Sequence, residues 1–185
     1  MGKGKHMGKK VLIISTSPRK GSNSEALADE FARGARESGN EVEKVSLAGK
    51  DIRFCRGCFA CQKTKRCVIR DDADLIEQRM VNADVLVFAT PIYYYEMSGQ
   101  MKTMLDRGNP MFTADYAFRD VYLLCTAAED AEHVWQRAKN GLEGWIACFP
   151  KARLAGCVFG GGATAVGTVR EKPAMKEAWE MGKQV

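Results

Sequence analysis

Short apolar runs alternate with amphipathic stretches along most of the chain. The run 11–14 is wholly apolar and rich in β-branched residues, as expected of a strand buried on both faces of a sheet. The runs 84–89 and 121–125 are similarly apolar, and the stretches between runs carry apolar residues at helical spacing. We therefore predict strands over residues 11–14, 41–47, 84–89, 121–125 and 153–159, with helices between them.

Strands that alternate with helices predict an α/β fold. We expect a single doubly wound five-stranded parallel sheet, flavodoxin-like, with strand order 2-1-3-4-5. Residues 1–8 are interpreted as a leader and disordered start, and residues 9–185 as one domain with a cysteine-rich insertion at 51–72. In this order the loops after strands one, three and four converge at one edge of the sheet, and the insertion is expected to emerge near the first loop.

The loop after the first strand is rich in hydroxyl groups. Ser17-Pro18 ends the strand, Gly21 permits a tight turn, and a serine or asparagine at 22–24 can cap the next helix. The helix N-terminus and Arg19 favour an anion, and a terminal phosphate fits best. No Walker motif or dinucleotide glycine motif is present, which points to a mononucleotide. The alternative is a turn that uses serine and asparagine only for capping.

Three consecutive tyrosines lie in the predicted loop 90–99, after the third strand. Flat amphipathic side chains beside a phosphate loop suit a fused aromatic ring with polar edges, such as isoalloxazine. The alternative is that the tyrosines cover the end of the sheet or a subunit contact.

Four cysteines in the insertion have the spacing C-x2-C-x2-C-x5-C. Thiolates at this spacing suit a [4Fe–4S] cluster, whereas structural zinc favours separated pairs; unligated thiols, zinc and a disulfide remain alternatives. Nearby basic residues are expected to lower the thiol pKa values. The four candidate ligands are Cys55, Cys58, Cys61 and Cys67. The remaining cysteines, predicted to be buried small hydrophobes, are Cys125, Cys148 and Cys157.

Composition narrows the function further. Of 185 residues 45% are hydrophobic, enough for a sizeable core, and no apolar run approaches the roughly 20 residues of a membrane helix. The net charge of +5 includes Lys3 and Lys5 of the leader and is not clustered, which argues against nucleic-acid binding. Seven cysteines without a secretory signal predict a cytoplasmic protein. His133 is expected to be a surface residue, and no catalytic acid or base is assigned.

These motifs, in this order, resemble the NADPH-dependent FMN reductase and iron–sulfur flavoprotein family of the flavodoxin-like superfamily. The similarity lies in the serine-rich loop 17–24, the loop 90–95 and the cysteine segment with Asp71 and Asp72. Thr16 departs from it, because many relatives carry glycine there. The resemblance implies that FMN phosphate is held by Ser17, Arg19, Ser22, Asn23 and Ser24. It implies that the ring and ribityl chain contact Pro91, Ile92, Tyr93, Tyr94, Tyr95 and Thr126.

The resemblance implies an FMN-dependent NAD(P)H oxidoreductase that passes electrons from a nicotinamide cosubstrate to a small acceptor such as a quinone or flavin. The alternative is an electron carrier with a [4Fe–4S] cluster, fed by a ferredoxin-like partner. A third, weaker reading is a redox sensor that uses the four cysteines as a thiol switch. We expect no nucleic-acid or membrane partner. A homodimer or homotetramer is expected, because one domain leaves a face of the isoalloxazine ring open.

Overall fold

The computed structural model describes residues 8–185. The interpretation of residues 1–8 as a leader and disordered start therefore falls, apart from Gly8, outside the described residues.

Five parallel strands form the sheet. In their order across it they are β2 (Glu41–Ser46), β1 (Lys10–Ser15), β3 (Val85–Tyr93), β5 (Asp120–Thr126) and β6 (Arg153–Gly160). This is the predicted 2-1-3-4-5 order, and the predicted α/β fold is confirmed. The apolar residues of the central strand β1 are all buried, which explains its unbroken hydrophobic run. The short strand β4 (Glu96–Met97) pairs with the end of β3.

Helices cover both faces of the sheet. α1 (Asn23–Glu37) and α6 (Ala174–Lys183) pack on one face. The other face is covered by α3 (Asp72–Asn82), α4 (Gly99–Arg107) and α5 (Gln136–Ile146). A short helix α2 (Ala60–Thr64) lies within the cysteine segment, and 3-10 turns occupy Asn109–Thr113, Glu132–Trp135 and Thr168–Glu171. Among the helices of residues 8–185, none has the length and apolar character needed to cross a membrane.

The third strand is longer than its sequence predicts. The loop expected from Thr90 onwards is instead the end of β3, which runs to Tyr93 and turns into an antiparallel hairpin with β4. Pro91 lies within the strand, opposite Thr126 of β5. The hairpin places Tyr94 and Tyr95 in its turn, beyond the end of β3, which alters the predicted site.

Candidate functional site

A cleft of about 190 Å³ lies at the carboxyl ends of β1, β3 and β5, where the predicted loops were expected to meet. We call it the sheet-edge cleft. Nine of the eleven predicted cofactor contacts line it: Ser17, Arg19, Ser22, Asn23, Ser24, Pro91, Ile92, Tyr93 and Thr126. The additional lining residues, which the sequence did not single out, are Ala127, Ala128, Ala163 and Thr164.

The N-terminus of α1 forms the polar end of the cleft. Ser22 is the N-cap, and its Oγ accepts a hydrogen bond of 3.2 Å from the N–H of Glu25. Gly21 has a φ of +64°, which is the left-handed conformation that the tight turn requires. Within residues 8–185, the N–H groups of Asn23 and Ser24 have no hydrogen-bond acceptor. They remain as donors where the helix dipole favours an anion.

Arg19 supplies the positive charge of this end. Its side chain is exposed, and Nη1 donates a hydrogen bond of 3.4 Å to the carbonyl oxygen of Thr164. No carboxylate of the described residues forms an ion pair with it. A guanidinium in this state can donate to a phosphate without first breaking a salt bridge.

The side chain of Asn23 has a structural role that the sequence did not predict. Its amide nitrogen donates to the carbonyl oxygens of Ala163 (3.0 Å) and Ala165 (2.8 Å), and its oxygen accepts from the N–H of Gly167 (2.9 Å). Asn23 therefore fixes the loop after β6 against α1, which places Thr164 in the cleft. Its contribution to anion binding is reduced to its backbone N–H.

Thr16 occupies the position where the resemblance expects glycine. Its hydroxyl donates to the carbonyl oxygen of Ala89 (3.1 Å) and lies 3.0 Å from Oγ of Ser98. The residue is fully buried, and its side chain is engaged with β3 and the start of α4. Thr16 is absent from the residues that line the cleft, so its side chain leaves the cleft open.

Tyr94 and Tyr95 do not line the sheet-edge cleft, although the sequence places them with Tyr93 as ring contacts. They form the β3–β4 turn with φ values of +49° and +66°. Tyr94 is 98% exposed. The hydroxyl of Tyr95 lies 3.2 Å from the Glu129 carboxylate, and its ring stacks on His133. The turn therefore places both side chains outside the sheet-edge cleft.

The four cysteines of the motif line one common cavity of about 20 Å³. We call it the thiol cavity. Cys61 and Cys67 are buried, whereas Cys55 and Cys58 are exposed. The sulfurs of Cys55 and Cys67 each lie 3.4 Å from a backbone N–H, and that of Cys61 accepts from Asn109 Nδ2 at 3.2 Å. Donors of this kind stabilise negative charge on sulfur.

The four cysteines line one cavity, but they are not arranged as a metal site. Among the described residues, no group of three or more His, Cys, Asp or Glu side chains is arranged to hold a metal ion. Burial raises the pKa of Cys61, although the basic neighbours were expected to lower it. One of these, Arg66, is instead engaged by Asp74 at 2.7 Å. A cluster held in the cavity that the four cysteines line would require their thiols to ionise.

The other three cysteines differ from one another. Cys125 is buried in the core, as predicted, and burial raises its pKa. Cys157 is half-buried, with its pKa raised by burial to about 11. Cys148 is exposed beyond the end of α5, and the prediction that it is buried is wrong. It lies two residues past Ile146, the last residue of α5, and is exposed although the next residue, Phe149, is buried in the core.

Comparison with known proteins places the chain in a family. The family model of NADPH-dependent FMN reductase matches residues 9–166. The chain belongs to this family. An iron–sulfur flavoprotein of Archaeoglobus fulgidus is 39% identical over 101 residues, covering 55% of this chain and 46% of that protein. Another, from Methanocaldococcus jannaschii, is 38% identical over 102 residues, covering 55% and 53%.

This FMN reductase family member spans about half the length of the curated relatives it matches. Among solved structures, an NAD(P)H:quinone oxidoreductase from Methanothermobacter marburgensis superposes with a TM-score of 0.71 at 16% identity, covering 96% of each chain. At that identity the likeness shows a shared fold. The match of the family model confirms the expected family resemblance.

Proposed function

We propose that the protein is an FMN-dependent NAD(P)H oxidoreductase that passes electrons to a small acceptor of the quinone or flavin type. The observation that carries the proposal is the sheet-edge cleft. It has a helix N-terminus and an arginine without an ion pair among residues 8–185 at one end, and apolar residues at the other. Its donor set suits a phosphomonoester joined to a flat ring. Membership of the FMN reductase family supports the same cofactor.

The residues of the cleft divide by role. Ser17, Arg19, Ser22 and the backbone of Asn23 and Ser24 bind the phosphate, while Ile92, Tyr93 and Thr126 lie along the ring and ribityl chain. Bound FMN supplies hydride acceptance from the nicotinamide and electron donation to the second substrate. The protein positions the ring and limits access to it. No side chain in the cleft is required as a general acid or base.

The test is a two-stage reduction experiment. Protein loaded with FMN is mixed anaerobically with NADPH or NADH, and bleaching of the flavin absorption is followed. A quinone or free flavin is then added to the reduced protein. The proposal expects rapid bleaching by one nucleotide and rapid reoxidation by the acceptor. Bleaching no faster than that of free FMN would overturn it.

The thiol cavity supports a second candidate function, an electron carrier with a [4Fe–4S] cluster that takes electrons from a ferredoxin-like protein. Four cysteines face one space, three of their sulfurs have N–H partners, and the curated relatives above are named iron–sulfur flavoproteins. Anaerobic reconstitution with ferrous iron and sulfide tests it. A carrier should bind stoichiometric iron and be reduced faster by reduced ferredoxin than by NADPH. If the protein takes up no iron, the carrier function is excluded and only the flavin reductase function remains.

A further inference from the structure

Arg107, the last residue of α4, carries a guanidinium that is completely buried. Nη1 donates to the carbonyl oxygen of Arg53 at 2.9 Å and to Oδ2 of Asp71 at 2.6 Å. Nη2 donates to the carbonyl oxygen of Ile69 at 3.2 Å. Burying a charge is costly unless it is paired and hydrogen-bonded, so these contacts define a specific arrangement.

The acceptors lie at the two ends of the cysteine segment. Arg53 stands two residues before Cys55, and Ile69 stands two residues after Cys67. One guanidinium thus joins the chain entering the segment to the chain leaving it. A planar fork with donors in fixed directions can bridge such acceptors, whereas a lysine ammonium on a flexible stem cannot reproduce that geometry.

Apolar burial contributes little to holding the first part of this segment, residues 53–59. Residues 53–59 are all exposed, including Phe54 and Phe59. A segment with few buried contacts opens locally at low cost unless polar contacts hold it. Asp51 and Asp72 form two such contacts at its base, where each N–H donates to the other residue, at 2.8 and 3.0 Å. Arg107 lies further in and itself lines the thiol cavity.

We propose that Arg107 is a positioning residue that holds both ends of residues 51–72 so that the four thiols face one cavity. The inference rests on the proposed function of the thiol cavity as a shared cysteine site. Asp71 is the counter-ion in this arrangement. Asn109, two residues beyond Arg107, orients Cys61 from the same part of the chain.

The experiment measures the alkylation rate of each cysteine in the full-length, metal-free protein, by iodoacetamide labelling and peptide mass spectrometry. The variants are Arg107→Met, which removes charge and fork, and Arg107→Lys, which keeps the charge. Lys102→Met is the matched control, because Lys102 lies exposed on the same helix and pairs only with Asp106. Cys125 is an internal reference for core packing. Far-UV circular dichroism checks the fold.

We expect alkylation of Cys61 and Cys67 to rise by about tenfold or more in Arg107→Met, the effect of losing charged hydrogen bonds. Arg107→Lys should give a smaller rise, and Lys102→Met none. Cys125 should stay protected in every variant. If Arg107→Met does not fold, Arg107→Lys decides. Unchanged rates in folded Arg107→Lys, or an equal rise at Cys125, would overturn the positioning role.

Anaerobic reconstitution with ferrous iron and sulfide separates this inference from the function on which it rests. Lower iron uptake and a weaker visible cluster absorption in both Arg107 variants, with uptake unchanged in Lys102→Met, would support positioning. If the wild type binds no iron, the carrier function fails. The alkylation rates would still decide whether Arg107 organises the thiols.

Discussion

At the residue scale, Arg19 distinguishes an anion site from a loop that merely caps a helix. We expect Arg19→Ala to weaken FMN binding by about 1–3 kcal/mol, because it removes a charge-assisted hydrogen bond to the phosphate. FMN fluorescence quenching measures the affinity. The control is Lys20→Ala, since Lys20 is an exposed neighbour that does not line the cleft. Equal affinity of wild type and Arg19→Ala would remove Arg19 from the site.

Glu77 makes the stability of the protein depend on pH. Burial raises its pKa from 4.5 to about 8, against the opposing charge of Arg107, whose Nε lies 3.9 Å away. The folded state therefore keeps a proton that the unfolded state loses above pH 4.5. Between pH 4.5 and about pH 8, the contribution of Glu77 to the free energy of unfolding falls by about 1.4 kcal/mol per pH unit. Above pH 8 it levels off.

We expect Glu77→Gln to remove this slope and to be more stable than the wild type at pH 9, by urea denaturation. Glu180→Gln is the control, because Glu180 is on an exposed part of α6. Parallel stability curves for wild type and Glu77→Gln from pH 5 to 9 would contradict the assignment.

The sequence identified the chemistry of single residues better than their partners. Ser22 and Arg19 lie where the motif predicted, since local capping preferences place them. The amide contacts of Asn23 and the buried Arg107 depend on residues distant in the chain, and no local pattern encodes them. The only indication in the sequence that Arg107 is buried is its position three residues after Met104, on the same side of α4.

At the scale of elements, the β3–β4 turn is strained by two tyrosines in the left-handed conformation. Such turns favour asparagine and glycine. We expect Tyr94→Asn to raise the free energy of unfolding by about 0.5–1 kcal/mol in urea denaturation. Tyr94→Phe keeps the backbone cost and should change nothing. FMN affinity should be equal in both, because Tyr94 lies outside the cleft; a marked loss would restore it as a ring contact.

The strands were predictable because a parallel sheet buried on both faces requires continuous apolar runs. The hairpin was not, since Pro91 lacks an N–H and normally marks the end of a central strand. Here β3 continues past Pro91 because β4, only two residues long, pairs with residues 92 and 93. The short α2 begins after Phe59 in a left-handed conformation, which no helix propensity indicates.

At the scale of the whole molecule, the two candidate sites are distinct. The sheet-edge cleft lies at the carboxyl ends of β1, β3 and β5, beside the N-terminus of α1, whereas the thiol cavity is lined by Arg107 at the end of α4. Among the described residues they share no lining residue, although the sequence predicted that the segment emerges near the phosphate loop. We propose that electrons pass between the two sites across a subunit interface. The exposed Phe54, Phe59 and Phe112 near the thiol cavity offer apolar surface for such an assembly.

We therefore expect a homo-oligomer in which FMN of one subunit serves the cysteine site of another, and complementation can test this. Arg19→Ala is expected to bind FMN too weakly to retain it under dilute conditions, and Cys58→Ser is expected to form no cluster. Neither alone should therefore pass electrons from reduced ferredoxin through a cluster to FMN. Co-expressed with different affinity tags and purified as a mixed assembly, they should recover part of the wild-type rate, because intact sites face each other across the interface. Wild type paired with the double variant is the reciprocal control, because transfer between subunits predicts an inactive mixed assembly and transfer within a subunit predicts half of the wild-type rate. A monomer by sedimentation at micromolar concentration, or a mixed assembly as inactive as its parts, would show that transfer between subunits does not occur.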